Sequence, residues 1–309
     1  MTEFKRKRQK QNNIPNAILT SDWHLRESTP QCRTDNFWKA QEKKVDFILA
    51  LSRKHNAPIF IAGDIGHISK WSCKLLEWAI NKFKDIKIFV IAGQHDLPQH
   101  QLSQWPQSGI GVLHAAGAVE FIQTPKIINN KFMIYPFSYN EEIITPEKNE
   151  SDLPKIAMVH QMIVESKDLF PNQSALRGHQ LLKKFPQFSI ILSGDNHNSF
   201  IINTSDNILC NPGSFMRSTT AQIDHKPRVY LWYAQDNIVE PVYLPIEQGV
   251  ISREHIEVTE QRNTRMDAYM ERMKNDIEIE LSFEKNLESY FDKNRIQPLV
   301  VEKVWNHIN

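Results

Sequence analysis

Short, wholly apolar runs alternate along the chain with longer segments whose apolar residues recur at helical spacing. Ala17-Ile18-Leu19-Thr20, Pro58-Ile59-Phe60-Ile61-Ala62 and Ile88-Phe89-Val90-Ile91-Ala92 are the first three runs, and each predicts a short buried strand. Between them, Phe37 to His55 carries Trp38, Val45, Ile48, Leu49 and Leu51. Trp71 to Phe83 carries Leu75, Leu76, Trp78, Ala79 and Ile80. Both segments predict amphipathic helices. The first third therefore reads βαβαβ, which predicts parallel strands joined by helical crossovers.

The middle of the chain is richer in strand signals. Val119 to Gln123, Ile127-Ile128 and Phe132 to Tyr135 read as short strands separated by Pro and Asn-Asn turns. Tyr139 to Leu153 is acidic and polar, as a surface loop would be. Ile156 to Val159 and Phe188 to Leu192 are further buried runs. Ser199 to Asn203 and Asn207 to Cys210 read as a hairpin, and Asn211-Pro212-Gly213-Ser214 as a tight turn. Val229 to Trp232 and Ile238 to Tyr243 complete a second sheet. Past Gly249 the pattern changes. Ile251 to Val258 reads as one more strand, and Thr264 to Lys274, Phe283 to Phe291 and Leu299 to Ile308 as short amphipathic helices. This divides the chain into a basic tail (1–14), a main domain (15–248) and a C-terminal appendage (249–309).

Composition narrows the partners and the compartment only slightly. The 309 residues suffice for one large domain with an appendage, and the 40% apolar content is ordinary for a globular protein. A net charge of +1 says nothing for or against nucleic acid, so any basic surface must be local. Lys5-Arg6-Lys7-Arg8 is one such cluster, read as a solvated tail or as a phosphate-contacting arm. Cys32, Cys73 and Cys210 have neither zinc-knuckle nor disulfide spacing, which fits a reducing compartment. No run is long enough to span a bilayer, and the N-terminus lacks the apolar segment of a secretory signal. A cytoplasmic protein is expected.

The chemistry lies at the ends of the apolar runs. They deliver Asp22 and His24, then Asp64, then Gln94 with His95 and Asp96, then His160, and last Asp195 and His197. Carboxylates and imidazoles are the ligands that suit Mn, Fe, Zn and similar divalent ions. Asp-x-His places two ligands on one side of an extended segment. Any one of these pieces has an ordinary explanation as a turn or a packed histidine. A succession of buried strands each ending in a ligand-type residue points instead to one dinuclear centre, with Asp64 as the bridging carboxylate. His67, Arg26 and Arg217 lie close by in sequence and are candidate phosphate contacts. His100, His114, His179, His225, His255 and His307 have no partner by spacing.

The ordered set D-x-H, G-D, G-N-H-D, H, G-H-x-H resembles the calcineurin-like metallophosphoesterase superfamily. Here it runs from Asp22 to His197 and is followed by the Asn211–Ser214 turn. The resemblance implies a four-layered α/β/β/α sandwich with a small helical appendage. It implies that Asp22, His24, Asp64 and His197 hold one metal, and that Asp64, Gln94, His160 and Asp195 hold a second. It makes His95 a general acid or transition-state stabiliser, with Asp96 orienting it. Two positions depart from the pattern. Gln94 stands for Asn, one methylene longer, and Asp195 stands for the first His of G-H-x-H. Both belong to the second metal and both remain ligand-competent; the extra carboxylate favours Mn or Mg over Fe or Zn.

Within the superfamily the chain is most similar to the SbcD-like and phage recombination nucleases of DNA repair, through Asp22-Trp23-His24-Leu25, His160-Gln161 and the long C-terminal extension. This branch implies DNA as substrate, two Mn ions, in-line attack on a phosphodiester by a metal-bridging hydroxide, and an SMC-like ATPase partner at the appendage. A homodimer is also implied. The alternatives are a phosphatase acting on small molecules or phosphoproteins, and a non-catalytic scaffold of the same fold.

Overall fold

The structure is a computed structural model that describes residues 14–147, 151–165 and 175–308. The Lys5–Arg8 cluster lies outside the described residues. The chain divides into two compact units, one ending at Ser252 and the other running from Arg253 to Asn309.

In the first unit, strand β1 (Ala17–Thr20), helix α1 (Phe37–His55), β2 (Ile59–Ala62), α2 (Cys73–Phe83) and β3 (Ile88–Ile91) form the βαβαβ start. Asn36 and Ser72 cap the two helices by accepting from Lys39 N and Leu75 N, so each helix begins where its polar cap residue stands. Next come α3 (Gly109–Ala115), β4 (Glu120–Phe121), β5 (Lys126–Ile128), β6 (Phe132–Phe137) and β7 (Lys155–His160). Then follow β8 (Ile163–Val164), β9 (Leu176–Arg177), α4 (Gly178–Lys184), β10 (Ile190–Gly194), β11 (Phe200–Asn203), β12 (Ile208–Asn211), β13 (Arg228–Tyr233) and β14 (Ile238–Tyr243).

Two six-stranded sheets result. One has the order β14-β13-β1-β2-β3-β4, the other β11-β12-β10-β7-β6-β5. The central strands run parallel in both: β1, β2 and β3 pair parallel, as do β6, β7, β10 and β12. Parallel strands covered on both faces carry no polar alternation, hence the unbroken apolar runs. The inner faces meet in a core that includes Leu19, Phe60, Ile91, Phe132, Met158 and Leu192. The outer face of the first sheet packs Ile18, Ile61 and Val90 against Ile48 of α1, Ala79 of α2 and Leu113 of α3. The outer face of the second packs Val159, Ile191 and Leu209 against Leu181 and Leu182 of α4. The unit is a mixed α/β sandwich of four layers. The short helices α3 and α4 begin at glycines and carry no long periodic stretch, so no helix was expected there.

The second unit consists of α5 (Glu254–Leu281), α6 (Phe283–Lys293) and α7 (Pro298–Ile308). The strand expected over Ile251–Val258 does not form. Ile251 makes only an isolated bridge to Arg33, and helix begins at Glu254. The cause is the long run of helix-favouring Glu, Arg and Met that follows, which outweighs the short local alternation. Among the described residues, no helix is long and apolar enough to cross a membrane.

Candidate metal centre

Every expected ligand lies just past, or at the end of, a parallel strand, where open α/β sheets form their crevices. The loops after β1 and β2 extend the ladder: Asp22 N donates to Gly63 O, His24 N to Asp64 O, Leu25 N to Ile65 O and His67 N to Leu25 O. The two ligand-bearing turns are therefore held side by side by backbone bonds. Between Asp22 and His24, Trp23 is fully buried, donates Nε1–H to Thr20 Oγ1 at 2.9 Å and stacks on Phe215 with centroids 5.0 Å apart. The large anchor turns inward while its neighbours face the site.

Asp22, His24, Asp64 and Asp195 all have left-handed backbone, with φ of 51°, 46°, 52° and 79°. The Asp-x-His segment is thus not extended as its spacing suggested; its side chains converge through two left-handed residues. Such non-glycine residues each cost roughly 1 kcal/mol or more, and they cluster where function over-determines the backbone. The glycines at these turns are there for space. A Cβ on Gly63 (φ +84°) would lie 2.2 Å from His160 Nδ1, and one on Gly93 would lie 2.1 Å from Asp64 Oδ1.

The ligand atoms of Asp22, His24 and His197 lie within 4.8 Å of one another, and so do those of Asp22, Asp64 and His160. His24 Nε2 is 3.6 Å and His160 Nε2 3.5 Å from Asp64 Oδ2, which has no hydrogen-bond partner although it is buried. Asp22 Oδ2 is likewise buried and unpartnered. Leaving a buried carboxylate oxygen without a hydrogen bond is costly, so two such oxygens facing converging imidazoles fit a site built for cations. The tautomers fit as well. His160 Nδ1–H donates to Ala62 O at 2.7 Å, which turns Nε2 toward Asp64.

The electrostatics follow from burial and from the crowding of acids and imidazoles. Burial foremost pushes the Asp22 carboxyl up to about 6 and the His24 imidazole down to about 3. Burial disfavours charge at Asp64 too, but the charge of His160 and its approach to the carboxylate outweigh it and hold the Asp64 pKa below the usual carboxylate range. For His160, burial works downward, yet Asp64, Asp22 and Asp195 raise it to about 10. His160 and Asp64 therefore form a buried ion pair in the absence of metal.

A model of the calcineurin-like phosphoesterases matches residues 16–199, the stretch that carries every one of these ligands. The chain belongs to the calcineurin-like phosphoesterase family. Members of this family hydrolyse phosphoesters and bind divalent metals, and the Asp/His clusters could hold such ions. No curated protein matches the chain significantly. Among solved structures, it is similar to TT1561 of Thermus thermophilus at 12% identity and a TM-score of 0.46, covering 75% of this chain and 100% of that one. It is also similar to a novel archaeal phosphodiesterase at 11% identity and 0.42, covering 74% and 99%. A putative 5'-nucleotidase from Staphylococcus aureus aligns at 11% identity and 0.44, covering 76% of this chain and 54% of that one. Likeness at this level carries no information about substrate.

The remaining expected residues divide. Gln94 and Asp195 are at the site but bonded to each other: Gln94 Oε1 lies 2.8 Å from His160 Nε2, and Gln94 Nε2 donates to Asp195 Oδ1 at 2.7 Å. Asp195 N in turn donates to Asp22 Oδ1 at 3.0 Å. His95 comes together with His24 and His67, ligand atoms again within 4.8 Å, and its ring stacks on that of His67 at 5.8 Å. Asp96 does not orient His95. Its carboxylate accepts from the backbone N–H of Ile65, Gly66 and Gly93, while His95 Nδ1 bonds His67 O at 2.9 Å. The reason is geometric: His-Asp sit in one turn of 3₁₀ helix, which sends adjacent side chains apart.

Arg217 is not a phosphate contact. It is buried, and its guanidinium donates to the carbonyls of Ile223 and Glu247. Arg26 bonds Ser28 Oγ and lies close enough to His67 to depress the imidazole, after burial, below its ordinary pKa. The carbonyl orienters, Ala62 O and His67 O, were beyond sequence reasoning because every residue carries a carbonyl. The buried Lys44 was not: it occupies the apolar face of α1 beside Val45 and Ile48.

Proposed function

We propose that the chain is a two-metal phosphodiesterase acting on DNA, a nuclease of repair and recombination. The observation that carries the catalytic part is the convergence of Asp22, His24, Asp64, His160 and His197 around two buried, unpartnered carboxylate oxygens. Asp22, His24, Asp64 and His197 are assigned to one ion and Asp64, Gln94, His160 and Asp195 to the other, with Mn favoured by the extra carboxylate. When bound, such ions supply an activated water and neutralise charge on the phosphoryl oxygens.

The chain's own residues do the rest. His67 O fixes a proton on His95 Nδ1, so the other ring nitrogen is the one free to take or give a proton at the leaving oxygen. The stacked His67 ring and Arg26 lie beside it, where a phosphate or its neighbour along a strand would be gripped. DNA as substrate is favoured by Asp22-Trp23-His24-Leu25, His160-Gln161 and the extension beyond the sandwich. The exposed Met266, Tyr269, Met270, Phe283 and Tyr290 of α5 and α6 suit docking to a coiled-coil ATPase subunit. A homodimer and a cytoplasmic location in a bacterium or phage-infected cell complete the reading.

The test is degradation of linear and hairpin-ended DNA with Mn, alongside a bis-phosphodiester dye and a phosphomonoester, with Asp64→Ala as blank. DNA and dye cleavage absent from the blank is the expected result. Monoester turnover without DNA cleavage would make the chain a phosphatase. One observation favours a second reading, a non-catalytic scaffold: the Gln94 amide already links His160 to Asp195. That reading predicts one bound ion at most and no hydrolysis with any metal.

A further inference from the structure

The turn Asn211-Pro212-Gly213-Ser214 supplies no ligand, yet it grips the loop that carries Asp195 and His197. Asn211 ends β12 and is fully buried. Its Nδ2 donates to Asn196 O at 2.5 Å and to Asn198 O at 2.6 Å, and its Oδ1 accepts from Ser193 Oγ at 3.1 Å. With the amide reversed, Oδ1 would face two carbonyls, so these partners fix its orientation. Between them, Ser214 N donates to His197 O at 3.1 Å. Three consecutive carbonyls, 196 to 198, are thus held from one turn. Gly213 fits so closely that a Cβ, at a φ of +73°, would lie 2.6 Å from His197 O. Inside the loop, Asn196 is buried and donates Nδ2 to Ile163 O at 2.7 Å, which anchors the residue between Asp195 and His197.

What this grip does follows from how the imidazoles are aimed. His160 and His95 each have a backbone carbonyl on Nδ1, which sets the ring. His197 has no such carbonyl among the described residues. Its side chain is 44% exposed, and its one contact of hydrogen-bond length is Nε2 to His24 Nε2 at 3.1 Å. Its aim therefore comes from the backbone, and Asn211 holds the backbone on both sides of it. The residue after the turn extends the grip to a co-ligand, since Phe215 N donates to Asp22 O at 3.0 Å. On the two-metal reading, we propose that Asn211 is a positioning residue for the first ion, holding His197 where it and Asp22 can share a cation. It touches neither metal nor substrate. The second ion depends on it less. His160 and Gln94 stand at the ends of other strands, and Asp195 N is tied to Asp22 Oδ1 at 3.0 Å.

The test is equilibrium dialysis of the full chain against graded Mn, at a temperature where every variant is folded. Asn211→Ala should weaken one ion by about 10–100-fold and leave the other unchanged. The weakened step should be the one that His197→Ala abolishes. Ser193→Ala is the control for a merely structural role. It removes the bond to Asn211 Oδ1 and should lower the unfolding midpoint, but it leaves both carbonyls gripped, so both affinities should stay parental. Parental affinities in Asn211→Ala would overturn the proposal, as would equal losses of both ions or an equal loss in Ser193→Ala. An unaltered chain that takes up no Mn would instead remove the two-metal reading, and this inference with it. Should Asn211→Ala not fold, Asn211→Asp decides. It keeps the shape and the acceptor for Ser193 but offers at most one hydrogen to the two carbonyls. A weakened first ion is expected, and parental binding of that ion would refute the role.

Discussion

At the scale of the residue, His95 and Asp96 are neighbours with different work, and substitution should separate them. His95 is partly exposed at the mouth of the site, so His95→Asn should bind metal normally and melt as the parent does. Its turnover should fall by about 10²–10⁴-fold. Asp96 is buried and holds three backbone N–H groups from two loops. Asp96→Ala orphans them and should cost about 3 kcal/mol of stability, read in denaturant melts, before any effect on rate. A pH–rate profile unchanged in shape for residual Asp96→Ala activity would agree with a loop clamp; loss of one ionisation would restore the orienting role.

Metal binding should also depend on pH in two windows. In the metal-free fold the Asp22 carboxyl, its pKa raised to about 6, is protonated below that value, so a cation must displace a proton there. Affinity should fall roughly tenfold per pH unit below 6 for each proton displaced. His160 is held protonated up to about 10, so an ion using its Nε2 releases a proton throughout the neutral range. Calorimetry of Mn binding at pH 7.5 in buffers of different ionisation enthalpy should therefore show about one proton released with the second ion. No proton release would place the second ion away from His160.

At the scale of the element, the sequence disclosed most where a strand is buried on both faces. Ile59-Phe60-Ile61-Ala62 and Ile88-Phe89-Val90-Ile91 read as buried strands, the βαβαβ order made them parallel, and they pair so; a ligand-type residue follows each. The turns themselves were less legible. Nothing in Asp-Trp-His says that Asp22 and His24 are left-handed, because that conformation is imposed by ladder bonds to Gly63 and Asp64 some forty residues away. Arg217 misled for the same reason: beside a conspicuous turn, an arginine looks available, and only the fold shows its guanidinium buried among carbonyls. Where tertiary contacts set the backbone, tolerance to change is low. Gly63→Ala would need a Cβ 2.2 Å from His160 Nδ1 at a φ of +84°. The variant should lose the second metal in equilibrium dialysis even if the sandwich still folds; two ions bound with parental affinity would mean that the turn is softer than its contacts imply.

At the scale of the molecule, the question is what the last sixty or so residues contribute. Among the described residues, all members of the three buried apolar clusters precede Ser252 in sequence, the last being Leu244. The segment that closes the first unit is tied by its own backbone, with Ser252 N donating to Cys32 O at 2.8 Å and Thr34 N to Val250 O at 3.1 Å. The second unit, by contrast, leaves Met266, Tyr269, Met270, Phe283, Tyr290, Leu299 and Val300 exposed. Apolar side chains in that number are poor stabilisers of their own helices and good material for an interface. A chain ending at Ser252 should therefore unfold cooperatively, with a midpoint within about 2 °C of the full chain, and should keep its metal stoichiometry and its turnover of a small diester. On the proposed reading, in which a coiled-coil ATPase docks on these helices, it should lose only partner-stimulated work on long DNA, because the proposed docking surface is gone while the catalytic cluster is not. An insoluble truncation, or one melting ten degrees lower, would instead make the helices part of the fold and would remove the main reason for assigning them to a partner.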